Sequence, residues 1–204
     1  MNSFLRLFLP VLLLSACSTR PDRPAMDWFD LGASPAEAQT VDDTRRAWRV
    51  TVRSIPDLED EAMRYRLEYA GPAGAAQVLT YARSRWISPP AEILRRRLAQ
   101  YLFWPDGVED RCHIILSLTR FEQVFSAPGE SAAVIALEAE VWNSGTGRLE
   151  DEARFSRTVK TRSPDAAGGV VALSEAATRL ATENLIPWRE KAKQGRQRMC
   201  WRGG

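Results

Sequence analysis

The sequence predicts an α+β domain of two layers, a mostly antiparallel sheet of about six strands with two amphipathic helices packed on one face. Several short segments alternate apolar and polar residues, which is typical of half-buried strands. Two longer segments repeat apolar residues at helical spacing, one mid-chain and one near the end. Two turn signals, Pro128-Gly129 and the run 143–147, separate the last three strands and favour a meander.

The first half of the chain carries short strand patterns separated by turns. A first strand is expected over Trp28-Phe29-Asp30-Leu31-Gly32, and residues 34–46 are expected to form a loop. Alternation of apolar and polar residues then predicts strands at 48–52, 63–69 and 78–82.

A helix is expected to begin at Ser88-Pro89-Pro90, because proline is tolerated in the first helical turn. Leu94, Leu98 and Leu102 follow at spacings of four and form one apolar stripe. The run Pro105-Asp106-Gly107 ends this pattern. The stripe predicts that one side of the helix packs against the sheet.

The second half holds three longer strand patterns, at 114–125, 135–141 and 149–159. Asp165 is expected to cap the last helix, whose apolar stripe runs from Val170 to Trp188, with Pro187 near its end. This half therefore supplies the meander and the second helix of the predicted domain.

Composition favours one globular domain with no nucleic-acid surface. The 204 residues carry a net charge of only +2, 45% of them are hydrophobic, and acids and bases are interspersed. The run Arg95-Arg96-Arg97 lies inside the helical pattern and is interpreted as a solvated helix face. Beyond the N-terminus, no apolar stretch is long enough to span a membrane.

No catalytic or metal-binding pattern is found. His113 is the only histidine, so neither a histidine-based metal cluster nor a Ser-His-Asp set is expected. Gly168-Gly169 precedes a helix but lacks the rest of a phosphate-binding motif, and is interpreted as a hinge or a close-packing point. We therefore expect a protein that is not an enzyme and has no cofactor.

The N-terminus predicts secretion and lipidation. Arg6 precedes an apolar run, Leu7 to Leu14, which is typical of a signal peptide. The end of this signal, Leu14-Ser15-Ala16-Cys17, resembles a bacterial lipobox. The resemblance implies cleavage between Ala16 and Cys17 and a covalent lipid on Cys17, and the alternative is an ordinary signal peptide with an incidental cysteine. Ser18 follows the cysteine, and the same resemblance implies sorting to the outer membrane, because many bacterial lipoproteins with a residue other than aspartate at this position are transferred there. The domain would then lie on the periplasmic face.

Four segments follow from this prediction. Residues 1–16 are the signal peptide, 17–26 a lipidated tether, 27–190 the folded domain and 191–204 a basic tail. The two remaining cysteines, Cys112 and Cys200, are expected to pair in an oxidising periplasm, and the alternative is two free thiols.

The ordered motifs of the domain resemble the ABC-type transport auxiliary lipoprotein family. The resemblance covers roughly residues 27–190 and rests on these segments: Trp28-Phe29-Asp30-Leu31-Gly32, Tyr65-Arg66-Leu67, Tyr81 to Trp86, Pro89-Pro90 with the helix after it, Arg120 to Phe125, and Asp165 to Leu173. Phe29 stands where the family usually has tyrosine. The resemblance implies a non-catalytic outer-membrane partner of an MCE-domain protein and an ABC permease in intermembrane lipid transport.

Arg85 and Trp86 are candidates for the contact with that partner, because arginine and tryptophan are enriched at interface hot spots. The alternative is that Trp86 packs inside the domain. A sheet edge is a second candidate surface, and self-association into a homo-oligomer stays open. Two other functions also stay open: a lipid-binding carrier with an apolar cavity, and a structural envelope lipoprotein unrelated to lipid transport.

Overall fold

The structure is a computed structural model that describes residues 25–32, 49–99, 101 and 112–194. Its described part forms an α+β fold, as predicted. The strands and α-helices are β1 (Asp27–Phe29), β2 (Arg49–Ser54), β3 (Ala62–Leu67), β4 (Gln77–Trp86), α1 (Pro90–Ala99), β5 (Cys112–Ala127), β6 (Glu130–Asn143), β7 (Arg148–Lys160), α2 (Ala166–Arg179) and α3 (Ile186–Gln194). A 3-10 turn, Pro56–Leu58, links β2 to β3, and a π-helical segment, Leu180–Leu185, joins α2 to α3.

The longest strand, β5, organises the sheet. The strand order is β1-β4-β3-β5-β6-β7, and β2 also pairs with β5. β6 occupies one edge of β5 along most of its length. On the other edge, the pairing of β2 with β5 ends at Ser54↔Leu118, and the pairing of β3 with β5 begins at Tyr65↔Gln123. β2 and β3 therefore follow one another along the same edge of β5.

The sheet is mixed rather than mostly antiparallel, and its described part has seven strands rather than about six. Three pairs are parallel, namely β1 with β4, β2 with β5 and β3 with β5. Three pairs are antiparallel, namely β3 with β4, β5 with β6 and β6 with β7. The chain crosses over between β4 and β5 through α1, which lets β5 run in the same direction as β3. Alternation predicts a strand but does not reveal which strand lies beside it.

The predicted meander of the last three strands is confirmed. Gly129 turns the chain between β5 and β6 with a φ of 81°, a conformation that glycine adopts without steric cost. Asn143 closes the next turn, because its side-chain oxygen accepts hydrogen bonds from the backbone N–H groups of Gly145 and Thr146 at 3.0 and 3.1 Å.

The helices cover one end of the sheet rather than its whole face. α1 contacts β2 and α2, whereas α2 contacts β5, β6 and β7. The core between these layers is built from large aliphatic side chains, including Leu94, Leu98, Leu116, Leu118, Ile135, Leu137, Leu173 and Leu180. The opposite side of the meander has no helix in the described part, and we call it the open face.

The last helix is capped by Asp165 as predicted, but it continues beyond Pro187. Asp165 accepts a hydrogen bond from the backbone N–H of Gly168 at 2.7 Å. Before the proline the helix widens into the π-helical segment, where the N–H of Ile186 donates to the carbonyl of Ala181. Because Pro187 has no N–H to donate, this widened turn lets the helix continue to Gln194 instead of ending.

Candidate functional site

The predicted lipidation and disulfide positions lie outside the described residues. Ala16 and Cys17 precede the first described residue, and Cys200 follows the last one. Cys112 begins β5, but its side chain is also outside the described part. The lipid on Cys17 and the pairing of Cys112 with Cys200 stay predictions, which intact-mass measurement and non-reducing peptide mapping would test.

The Arg85-Trp86 corner is largely built into the domain. β1 runs alongside it, with Trp28 opposite Arg85. Trp86 is 1% exposed, and its ring meets Phe121 edge-on at a centroid distance of 5.2 Å. Arg85 is half-buried and donates a hydrogen bond to the carbonyl of Tyr81. Trp86 therefore packs inside the domain, the alternative stated above, and contact with a partner through Arg85 stays a prediction.

The segment after β1 is held between the two helices. The Ser174 hydroxyl on α2 donates to the carbonyl of Leu31 at 2.9 Å. Arg97 on α1 is 4% exposed and donates to the carbonyl of Gly32 at 3.2 Å and to the Thr178 hydroxyl at 2.9 Å. Arg97 bonds to both segments through its terminal nitrogens, while its Nε has no partner among the described residues, and this arginine has a structural role in joining the N-terminal strand to both helices.

A chain of buried and half-buried polar side chains lies where α2 approaches β5. The Tyr81 hydroxyl donates to Oε1 of Gln123, and Nε2 of Gln123 donates to the Ser131 hydroxyl, each at 2.8 Å. Ser131 in turn bonds Thr161 at 2.6 Å. A Cβ atom at Gly169 would lie 2.4 Å from Oε1 of Gln123. Gly168-Gly169 is therefore a close-packing point, which is one of the two interpretations given above. In the same chain of side chains, burial raises the pKa of Tyr81 well above its usual value.

The open face carries a groove at the place where β2 and β3 separate along β5, and we call this groove the basic notch. Pairing of β5 with β2 ends at Leu118, and pairing with β3 begins at Gln123. The notch has a volume of about 310 Å³. It is lined by Ile55, Asp57, Leu58, Arg64, Arg66, Val78, Thr119, Arg120, Phe121 and Glu122.

Glu122 lies at the centre of the notch and holds two arginines. Its side chain is only 6% exposed. Nε of Arg66 donates to both carboxylate oxygens at 3.0 and 3.2 Å, and Nε of Arg120 donates to one of them at 2.7 Å. A β-bulge between Leu118 and Arg120 shifts the alternation of β5, so Arg120 and Glu122 share the open face with Arg66.

Arg64, the third arginine of the notch, is paired with a carboxylate outside the lining. It donates to the two carboxylate oxygens of Asp60 at 2.7 and 3.0 Å. This hydrogen bonding from Arg64 lowers the pKa of Asp60 below its usual value. The carboxylate therefore stays charged near neutral pH and keeps Arg64 against the notch.

A second groove of about 300 Å³ lies on the open face over β6 and β7, and it is acidic. Glu138, Glu140 and Glu152 line it together with Arg154. Arg154 donates to Glu138 at 2.9 Å, but its side chain is 86% exposed, so this pair contributes little to stability.

The described residues show no group of three or more His, Cys, Asp or Glu side chains that could hold a metal ion. His113 lies on the open face, where its Nε2 is 2.8 Å from the hydroxyl of Thr51. Within the same part of the chain, no helix is both long and apolar enough to cross a membrane.

The basic notch has no signal in the sequence pattern. Arg64 and Arg66 are polar positions of an alternating strand, and Arg120 and Glu122 belong to a motif that resembles the family. Their convergence depends on the parallel pairing of β3 with β5 and on the bulge near Arg120. Neither feature has a signal in the alternation of apolar and polar residues.

Comparison with known proteins supports the fold. No family model matches the chain, and no curated protein matches it. Among solved structures, it is similar to the protein XCC0632 from Xanthomonas campestris, of the family DUF330, with a TM-score of 0.60 and 19% identity over 84% of this chain and 96% of that one. An uncharacterized protein gives a TM-score of 0.58 and 19% identity over 82% of this chain and 99% of that one. At this identity, the likeness shows that the chain shares their fold.

Proposed function

We propose that this chain is a periplasmic lipoprotein, anchored in the outer membrane through Cys17, that docks an MCE-domain protein of an ABC-type lipid transport system without catalysing a reaction. The observation that supports this best is that the family-like motifs contact one another. β1 pairs with the Arg85-Trp86 end of β4, and Trp86 packs on Phe121 of the central strand. Gly169 of the last helix packs on Gln123 of that same strand. Motifs that specify a shared fold are expected to meet in this way.

The free edge of β7 is the surface that we assign to docking. β7 is the last strand of the sheet, and within the described residues it pairs only with β6. The N–H and C=O groups on its other edge can pair with a strand of a partner, which is a common mode of recognition. The corresponding edge of β4 is covered at Arg85-Trp86 by β1.

The predicted tether sets the distance over which this docking occurs. Residues 17–26 can extend by at most roughly 3.5 Å each. The domain therefore works within a few nanometres of the lipid on Cys17. A periplasm-spanning partner has to reach the membrane, because this short tether does not let the domain travel far to meet it.

Affinity purification from crosslinked cells tests the proposal. The tagged full-length chain is expressed where a neighbouring MCE operon is active, and we expect an MCE-domain protein or permease component in the purified material. A Cys17→Ala variant serves as a control, because it is expected to lose the lipid mass and to recover less partner. Recovery of no MCE or permease component with the lipidated chain would contradict the proposal.

A further inference from the structure

The basic notch has the features of a site that is built to bind an anion. Two of its arginines are fixed by one buried carboxylate rather than extending freely into solvent. Arg66 and Arg120 are 31% and 38% exposed, while Glu122 between them is 6% exposed. A buried carboxylate that orients two guanidinium groups restricts their motion, and less side-chain entropy is lost when they bind a ligand.

Both arginines use the same part of the guanidinium for this anchoring. In the described part of the chain, the hydrogen bonds of Arg66 and Arg120 to Glu122 run through Nε. The two terminal nitrogens of each group therefore remain for a ligand, and in each guanidinium they form the planar pair that binds oxyanions side by side.

The charge of the cluster also favours an anion. Two guanidinium groups share the single carboxylate of Glu122, which leaves one positive charge in excess in a partly buried place. Asp57, the other carboxylate of the lining, is exposed, so water screens its charge more strongly. Arg64 adds a third guanidinium to the lining, although its own charge is matched by Asp60. Electrostatic attraction is stronger here than at a fully exposed arginine, because less water surrounds the charges.

We propose that the basic notch binds a phosphate group that carries a small apolar substituent. Two guanidinium groups whose terminal nitrogens are not used by Glu122, those of Arg66 and Arg120, match the several oxygens of a phosphate better than the two oxygens of a carboxylate, which a single arginine can bind. Ile55 and Val78 line the same groove and are 38% and 47% exposed, so an apolar substituent next to the phosphate has side chains to contact.

The size of the notch favours a small ligand over a protein surface. Its volume of about 310 Å³ lies at the lower end of the range for small-molecule sites. A stable protein partner would instead cover about 800 Å² of this chain. The phosphate could belong to a lipid headgroup or to a free phosphate ester, and both have the same recognition chemistry. This inference does not depend on the MCE partner.

Binding to the purified full-length protein in a nonionic detergent tests the proposal by calorimetry. The probes are inorganic phosphate, dihexanoyl phosphatidylglycerol and a dihexanoylglycerol without phosphate. We expect the phosphate-bearing probes to bind and the glycerol to fail. Tighter binding of the phosphatidylglycerol than of inorganic phosphate would support the apolar contacts and a lipid headgroup as the source. Equal or tighter binding of inorganic phosphate would contradict a role for the apolar substituent.

Two variants and a control locate the site. Arg66→Gln and Arg120→Gln each remove one guanidinium but leave the other on Glu122, and we expect each to weaken binding about tenfold. Arg154→Gln removes an arginine of the same face outside the notch and should leave binding within about twofold. Thermal unfolding confirms that the variants are folded. Absence of binding, equal losses in all three variants, or tighter binding of an acidic peptide than of both phosphate probes would overturn the proposal.

Discussion

Replacement of Gly169 by alanine tests the contact between the last helix and the central strand. In an exposed helix this change would stabilise the protein by about 1 kcal/mol. Here the new methyl group would lie 2.4 Å from Oε1 and 3.1 Å from Cδ of Gln123. Gln123 is 2% exposed and is held by Tyr81 and Ser131, so its amide cannot move without breaking a buried hydrogen bond.

The expected loss follows from these contacts. Overpacking costs about 1–3 kcal/mol, and a buried polar group left without its partner costs about 1–3 kcal/mol. After the gain in helix propensity, we expect Gly169→Ala to lower the free energy of unfolding by about 1–5 kcal/mol. For a domain of this size, each kcal/mol corresponds to about 2–4 °C in Tm.

Urea unfolding of matched variants measures this effect. Val171→Ala, at a 53% exposed position of the same helix, is the control and should change stability by at most about 0.5 kcal/mol. In a Gln123→Ala background the clash is removed, so Gly169→Ala should become neutral or stabilising. A Gly169→Ala protein as stable as the parent in the presence of Gln123 would refute the reasoning.

Two further changes test the cap and the notch. Asp165→Ala should cost about 1 kcal/mol in urea unfolding, through loss of the N-cap. The amide that Asp165 caps lowers its pKa, so this difference should be present at neutral pH and disappear as the pH falls through that lowered pKa. Glu122→Gln should lower stability by about 1–3 kcal/mol, because Arg66 and Arg120 lose their shared carboxylate. Glu138→Gln is the control for Glu122→Gln. Because Arg154, the partner of Glu138, is exposed, this change should cost less than about 1 kcal/mol. Equal costs for the two glutamates would contradict the role of burial.

Local features of the fold could be predicted because their causes are local. Asp165 caps α2, and the turn at Gly129 separates two strands of the meander, since a capping side chain and a glycine with positive φ act within a few residues. The side-by-side arrangement of strands could not be predicted in the same way. That β2 and β3 share one edge of β5 depends on contacts between residues more than 50 positions apart.

The candidate site also has features with local causes, which could be predicted, and features with long-range causes, which could not. The sequence predicts that Arg64 and Arg66 lie on the polar side of a strand, and they do line a groove on the open face. It does not predict that Glu122 would be buried between two arginines, because a bulge in β5 and the parallel partner strand bring them together. Trp86 was a candidate for partner contact, but long-range packing on Phe121 places it in the core.

Photo-crosslinking at the free edge of β7 tests the central claim most directly. A photoreactive residue at Ser156, which is exposed near the middle of β7, is introduced into the full-length lipidated chain in cells with an active MCE operon. The same residue at Val171 on α2 serves as the control. We predict that light links the Ser156 position, and not the Val171 position, to a peptide of an MCE-domain protein. Adducts from Ser156 that contain no such peptide, or equal adducts from both positions, would contradict the account.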